Sequence, residues 1–309
     1  MSNKHISPAE RRTTGEKVYN VFNVAFFIIF AFLCAYPFYY LIINSISNNS
    51  LSASGEINWL PQGIHWDNYK QVLTLDGIGQ SAFISVARTV IGTVLNVIVS
   101  AYLGFMFTQN AMWHRKFWYR FIIITMYFGA GLIPMFITMK NLGLTNNFWV
   151  YVLPGMVSPF NIILVKTFIE SIPHELQEAA EVDGAGTFTV FWKIILPMTK
   201  PILATLAIFN AVGQWNSFQD TLIYVTDDKL FSLQYRLYLY LNQASSLAAS
   251  VKAGQSSGTM VDVASMANAL TPGSIRMTIS VIVVIPIMFI YPFFQKYFVK
   301  GMMLGAVKG

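Results

Sequence analysis

The chain has 309 residues, of which 55% are hydrophobic, 15% aromatic and 11% charged, against roughly 25% charged in an ordinary soluble domain. Its mean hydropathy of +0.52 means more apolar side chain than one globular core buries, which excludes an ordinary soluble enzyme and makes lipid the expected solvent. The net charge of +6 comes from 20 Lys and Arg scattered singly between apolar runs, a pattern of membrane topology rather than of a nucleic-acid partner.

A helix crossing the hydrocarbon core needs about 20 residues without unpaired charge, so the intervals between ionised side chains mark the expected spans. After a tail at 1–17, the first span is expected over 18–46, with its apolar centre from Val21 to Ile43. An external loop at 47–80 carries Trp59, Pro61, Trp66 and Tyr69. The remaining membrane domain, 81–299, holds charge-free intervals at 89–114, 121–139, 141–165, 201–219 and 277–295. A second external loop, 226–273, is rich in Ser, Ala, Gly and Asn, and its tract at 244–258 reads as a flexible or short-helical stretch; a tail at 300–309 closes the chain. Runs of this length satisfy their backbone as helices, and the alternation of barrel strands is missing. The expected fold class is an all-α membrane protein with six transmembrane helices.

Thirteen of the 20 Lys and Arg fall on one set of loops, among them Lys4, Arg11, Arg12, Arg115, Lys116, Arg120, Lys193 and Lys200. Cytoplasmic loops are enriched in such charges, so both termini are expected to be cytoplasmic, in keeping with an even number of spans. The first apolar run is longer than a signal-peptide core and lacks a small-x-small cleavage site after it, which argues against a cleaved signal. Arg88 and Asp220 are expected at the outer ends of their spans, snorkelling toward water, with no transport role. Pro37, Pro134, Pro154, Pro286 and Pro292 fall inside or at the ends of spans, where each permits a kink.

No G-x-x-x-x-G-K-[ST] run is present to cradle nucleotide phosphates, and no G-x-S-x-G surrounds any serine. His5, His65, His114 and His174 stand on different loops without metal-ligand spacing, and Cys34 is the only cysteine. No catalytic residue, metal ligand or bound cofactor is expected in this chain.

The stretch 169–200 concentrates four acids, Glu175, Glu178, Glu181 and Asp183. Pro173 suits the first turn of a helix whose positive end Glu175 and Glu178 complement, Gly184 and Gly186 stop it, and a second short helix from Phe188 to Leu196 is expected to end at Pro197. Local physics is equally compatible with a plain solvated loop. Glu178-Ala179-Ala180, then Gly184, then Ile194-x-Leu196-Pro197 resembles, at every defining position, the EAA loop of ABC-importer permeases. The closing Gln295-Lys296-Tyr297-Phe298-Val299-Lys300-Gly301, with Gly305-Ala306-Val307-Lys308-Gly309, resembles the C-terminus of carbohydrate permeases of the maltose-transporter type, and Trp59-Leu60-Pro61, Asn68-Tyr69 and Trp215-Asn216 look like that family too.

The resemblance covers essentially the whole chain. It implies a type I ABC importer permease fold in the bacterial cytoplasmic (inner) membrane, paired with a second permease as a heterodimer. It also implies two ABC ATPase subunits, which carry ATP and Mg, and an external solute-binding protein that delivers the sugar, with an oligosaccharide as the expected cargo. By analogy Glu178, Ala179, Ala180, Asp183, Gly184, Ile194, Leu196 and Pro197 form the element that docks on the ATPase. Sugars offer hydroxyls and apolar ring faces, so Gln214, Trp215, Asn216 and Gln219, followed by Asn161 and Asn96, are expected to line the path. Helix-to-helix ties are the competing role for such polar groups. A permease for a non-sugar solute is the alternative, and an autonomous secondary transporter, which would want intramembrane acids or a proton relay, is a more distant one.

Overall fold

The computed structural model describes residues 14–74, 76–242 and 273–288, and within them the chain is helical with no strand. Helix α1 (Thr14–Ile46) is apolar on all sides and contains Pro37. Two short helices follow, α2 (Asn49–Ser54) and α3 (Asp67–Thr74). Next come α4 (Ile78–Met106), α5 (Arg115–Tyr127), α6 (Leu132–Asn141) and α7 (Pro159–Ile169). The chain continues through α8 (Glu175–Val182), α9 (Thr187–Met198), α10 (Lys200–Asn216) and α11 (Gln219–Tyr224). A helix at 233–242, α12, and α13 (Gly273–Met288) complete the described chain.

The long helix α4 is the mast of the fold, because each of three hydrophobic clusters includes some of its residues. Ala101 and Phe105 pack with Val165 and Ile169 of α7, Val190, Phe191 and Ile195 of α9, and Leu203 and Leu206 of α10. Higher on the mast, Ile84 meets Met139, Val150, Tyr151, Val152 and Val225. Its first residue, Ile78, joins Val72, Leu233, Ile279 and Val283. Close approach of α4 to α7 depends on Gly104, where an added Cβ would lie 2.8 Å from the Val165 side chain. By contrast α1 stands away from this core: 6% of its most apolar 18 residues are buried. Its ties among the described residues gather toward Ile46: the Tyr36 hydroxyl donates to Asn58 O, Ile43, Asn44 and Ser45 are buried, and the Asn44 amide donates to the carbonyls of Tyr40 and Ile57 at 2.9 and 3.2 Å.

Several expected spans take a different form. Helices α1 and α4 are long and apolar enough to cross a membrane, and α9 with α10 forms a third such unit bent by 77°. The second span does not start after Arg88; α4 begins ten residues earlier, because Arg88 is paired inside the fold rather than snorkelling at its edge. The interval 121–139 is broken between α5 and α6, where Gly131 adopts φ +84°. In the interval 141–165 a left-handed Gly143 and a turn at Phe148–Tyr151 precede α7, whose first residue is Pro159. Nor does Pro197 end its helix: α9 runs on to Met198, with a wide π-turn at Phe191–Ile195. Proline has no N–H to offer the carbonyl four residues back, and the wider turn accommodates that loss. The tract 244–258, most of the loop 226–273, Pro292 and the closing segment from Gln295 to Gly309 lie outside the described residues.

Candidate functional site

Helix α8 is built to present one face outward. Glu175 and Glu178 lie in its first turn, where carboxylates complement the positive helix end. Its far end closes as a Schellman turn: Ala185 N donates to Ala180 O at 2.9 Å and Gly184 N to Glu181 O at 3.0 Å, with Gly184 at φ +82°. That turn leaves Glu178, Ala179, Val182, Asp183 and Gly184 exposed, while Ala180 packs half-buried against the inner core. Val182 stands 87% exposed, an apolar knob beside the carboxylates. Leu196 also packs on that core, Ile194 is half-buried and Pro197 is exposed. The opposite face of α8 buries Gln177, whose Oε1 accepts from Gln109 Nε2 at 3.1 Å.

A second constellation lies where α10 breaks at Ser217 and Phe218 before α11. Arg88 of α4 reaches this break with a side chain that is 2% exposed. All five of its N–H donors are engaged. Nε and Nη2 donate to Gln214 Oε1 at 3.1 and 2.9 Å, and Nη1 donates to Ser217 O at 3.3 Å and Asp220 Oδ1 at 3.0 Å. Nη2 also donates to Asp220 Oδ2, which makes the pair bidentate. The guanidinium stacks 4.4 Å from the centroid of the Tyr151 ring. Gln214 Nε2 in turn donates to Tyr151 O at 3.1 Å, and the Tyr151 hydroxyl donates to Leu230 O at 2.7 Å. Gly92 leaves room for this packing, since a Cβ there would come within 2.9 Å of Gln214 Nε2. The expectation that Arg88 and Asp220 snorkel is therefore corrected, because a charge pair closed on itself has no need of water.

Deeper along α4, Asn96 ties three segments. Its Nδ2 donates to Gly155 O at 2.7 Å, and its Oδ1 accepts from Asn161 Nδ2 and Asn210 Nδ2, both at 2.8 Å. Asn96 and Asn161 are both buried. Gln214 is likewise turned inward. Trp215 donates from Nε1 to Val283 O at 3.0 Å. Asn216 and Gln219 are exposed, and on α10 Phe209, Gly213 and Asn216 recur at helical spacing as one open stripe. Sequence reasoning passed over Tyr151, Asn210, Gln109 and Gln177, and it left Arg88 unpaired with Asp220. One signal was available: two opposite charges, each isolated in an apolar run, are expected to meet. Outside this interior, Asn48, Asn49, His65, Asp67, Asn68 and Gln71 line a polar cavity of about 450 Å³ between the start of α2 and α3.

Residues 97–304 match the family model described as binding-protein-dependent transport system inner membrane component. The chain belongs to this family. As such a membrane component, it is 33% identical over 298 residues to protein LplC of Bacillus subtilis, covering 96% of this chain and 97% of that protein. It is 31% identical over 295 residues to the polygalacturonan/rhamnogalacturonan transport system permease protein YtcP of the same organism, covering 95% and 99% of the two chains. A chain in the crystal structure of a bacterial ABC transporter involved in the import of the acidic polysaccharide alginate superposes with a TM-score of 0.80 at 27% identity, covering 93% of this chain and 99% of that one. The helical arrangement is thus the type I ABC permease fold, and the family is one of transport components rather than enzymes.

Proposed function

We propose that this permease is one of two membrane subunits of an ATP-driven bacterial importer for carbohydrate, with an oligosaccharide as cargo. In this reading six helical passages, some of them broken, cross the inner membrane with both termini cytoplasmic, and the tails at 1–17 and 300–309 lie inside. Segment 18–46 is the first helix, 47–80 and 226–273 face outside, 81–299 carries helices two to six, and 169–200 is the coupling loop. The observation that carries the proposal is α8, whose exposed Glu178, Ala179, Asp183 and Gly184 stand clear of the core. Small Ala side chains permit close approach to a groove, and Glu178 offers a carboxylate to a basic partner there. Two ATPase subunits are assigned to this face, and they supply ATP and Mg, while no cofactor is assigned to the permease.

Closure of the ATPases on nucleotide then moves α8 and, through α9 and α4, biases the permease between outward and inward access. The exposed stripe on α10 that ends in Asn216, together with Gln219, is assigned to the sugar path, with Trp215 at its border. Asn96, Asn161 and Gln214 are assigned beneath it, where they hold the helices that form its wall. The cargo class is supported by two of these similar proteins, a polygalacturonan/rhamnogalacturonan transport permease and a chain of an importer of the acidic polysaccharide alginate. An external binding protein delivers the cargo. The bare surface of α1 is assigned to the second permease.

Affinity capture from detergent-solubilised membrane, followed by identification of the co-purifying chains and an ATP-hydrolysis assay, tests the assembly. Recovery of a second permease and an ATPase with nucleotide-dependent turnover is the expected result. Recovery of a stable single chain without ATPase would overturn the proposal in favour of an autonomous transporter.

A further inference from the structure

Helix α4 ends at Met106, and its last carbonyls are gathered by a small polar cluster. Thr108 Oγ1 donates to Phe105 O at 2.7 Å, and Arg115 Nη1 donates to Thr108 O at 2.7 Å, a cation placed at the negative end of a helix. Gln109 completes the cluster. Its Nε2 donates to Thr108 Oγ1 at 3.3 Å and, across to α8, to Gln177 Oε1 at 3.1 Å. Gln177 is 6% exposed, on the inward face of α8, directly before Glu178. Among the described residues, this is the side-chain hydrogen bond that joins α8 to another part of the chain. Apolar contacts stand beside it, through half-buried Ala180 of α8 and Ala185 just beyond its end, both packed against the inner core.

Apolar contacts slide, whereas an amide pair with one member buried has a preferred register, since parting it leaves the buried Gln177 without its partner while half-buried Gln109 turns to water. Gln109 sits in the turn that closes α4, its N–H donating to Met106 O at 3.1 Å, and α4 carries Asn96 and, nearer its start, Arg88, which grips the break between α10 and α11. We propose that Gln109 and Gln177 are positioning residues for transport: their amide contact is the joint through which displacement of α8 enters α4. The inference rests on α8 being the element that docks on the ATPase.

The chemistry of the pair supplies a test that packing would not mimic. A single Gln109→Glu or Gln177→Glu leaves one amide and one carboxylate, and the remaining amide turns to donate, so the contact survives. Both substitutions together oppose two carboxylates and force the contact apart. Gln177→Leu fills the same volume but deletes the acceptor. The measurement is ATP hydrolysis by the complete complex in lipid nanodiscs, with and without the cells' own sugar-loaded binding protein, so that the ratio of stimulated to basal turnover reports coupling.

Each single Gln→Glu variant is expected to keep the parental ratio, whereas the double variant and Gln177→Leu lose about fivefold or more of it at unchanged basal hydrolysis. Should the double variant fail to assemble, Gln177→Leu carries the test. Parental stimulation in the double variant or in Gln177→Leu would overturn the proposal, as would equal losses in the single and double Gln→Glu variants. A parallel Glu178→Arg variant separates this outcome from failure of the coupling reading itself: if it retains the ATPase and full stimulation, α8 is not the docking element.

Discussion

Arg88 is an ionised side chain with no outlet to water, so its worth depends entirely on what surrounds it. Removing one member of a buried ion pair costs about 3–5 kcal/mol, whereas replacing both with apolar or neutral groups is far cheaper. Arg88→Met alone and Asp220→Asn alone are therefore expected to lower the melting temperature of the detergent-solubilised protein sharply, and the double variant to recover more than half of the loss. Additive losses would mean that the pair contributes nothing as a pair. Arg88→Lys is also expected to fail, because a point charge does not reproduce the fork that spans Gln214, Ser217 and Asp220. At this scale the sequence was legible in part. It singled out Asn96, Asn161 and Gln214 as polar groups in apolar runs. It did not reveal that they face neighbouring helices, because partners such as Asn210 and Tyr151 are brought alongside by packing over more than 60 residues of chain.

Elements were legible where punctuation is local and obscure where it is not. Acids, glycines and spacing located α8 and its closing turn, since Gly184 alone meets the positive φ that the turn demands. Gly184→Val puts a β-branched side chain into that left-handed conformation at a cost of about 1–2 kcal/mol. The open space around Gly184 leaves the conformation itself as the only obstacle. The expected outcome is a permease that inserts normally but imports poorly per ATP consumed, measured as uptake against hydrolysis in proteoliposomes; a normal ratio would show that the turn is not needed. Gly104→Val tests packing instead of conformation, since its side chain would collide with Val165 and the Lys166 backbone. Loss of assembled complex, read by size-exclusion chromatography, is the expected result. Charge spacing proved a weaker guide to the middle of the chain. It counts residues between charges and is blind to whether Gly131 or Gly143 turns the backbone within the interval, and it took paired Arg88 for a span end.

At the scale of the whole molecule, the fold is a mast with three clusters on it and one long helix left bare. The apolar length of α1 was plain from the sequence; that most of its surface stays exposed was not, because composition is the same for a helix facing lipid, its own core or another subunit. A photoreactive residue in place of Phe27 or Phe30, both exposed along α1, is expected to cross-link to the second permease in native membrane. Labelling of lipid alone would remove α1 from the interface. The bareness of α1 bears also on how the cell must make this protein. On the proposed pairing, a chain synthesised in excess of its partner would carry a 33-residue helix with most of its apolar surface uncovered, able to pair wrongly or invite membrane proteases. On that reading its abundance would follow the scarcer of the two permeases, so that balanced synthesis of both would matter for supply.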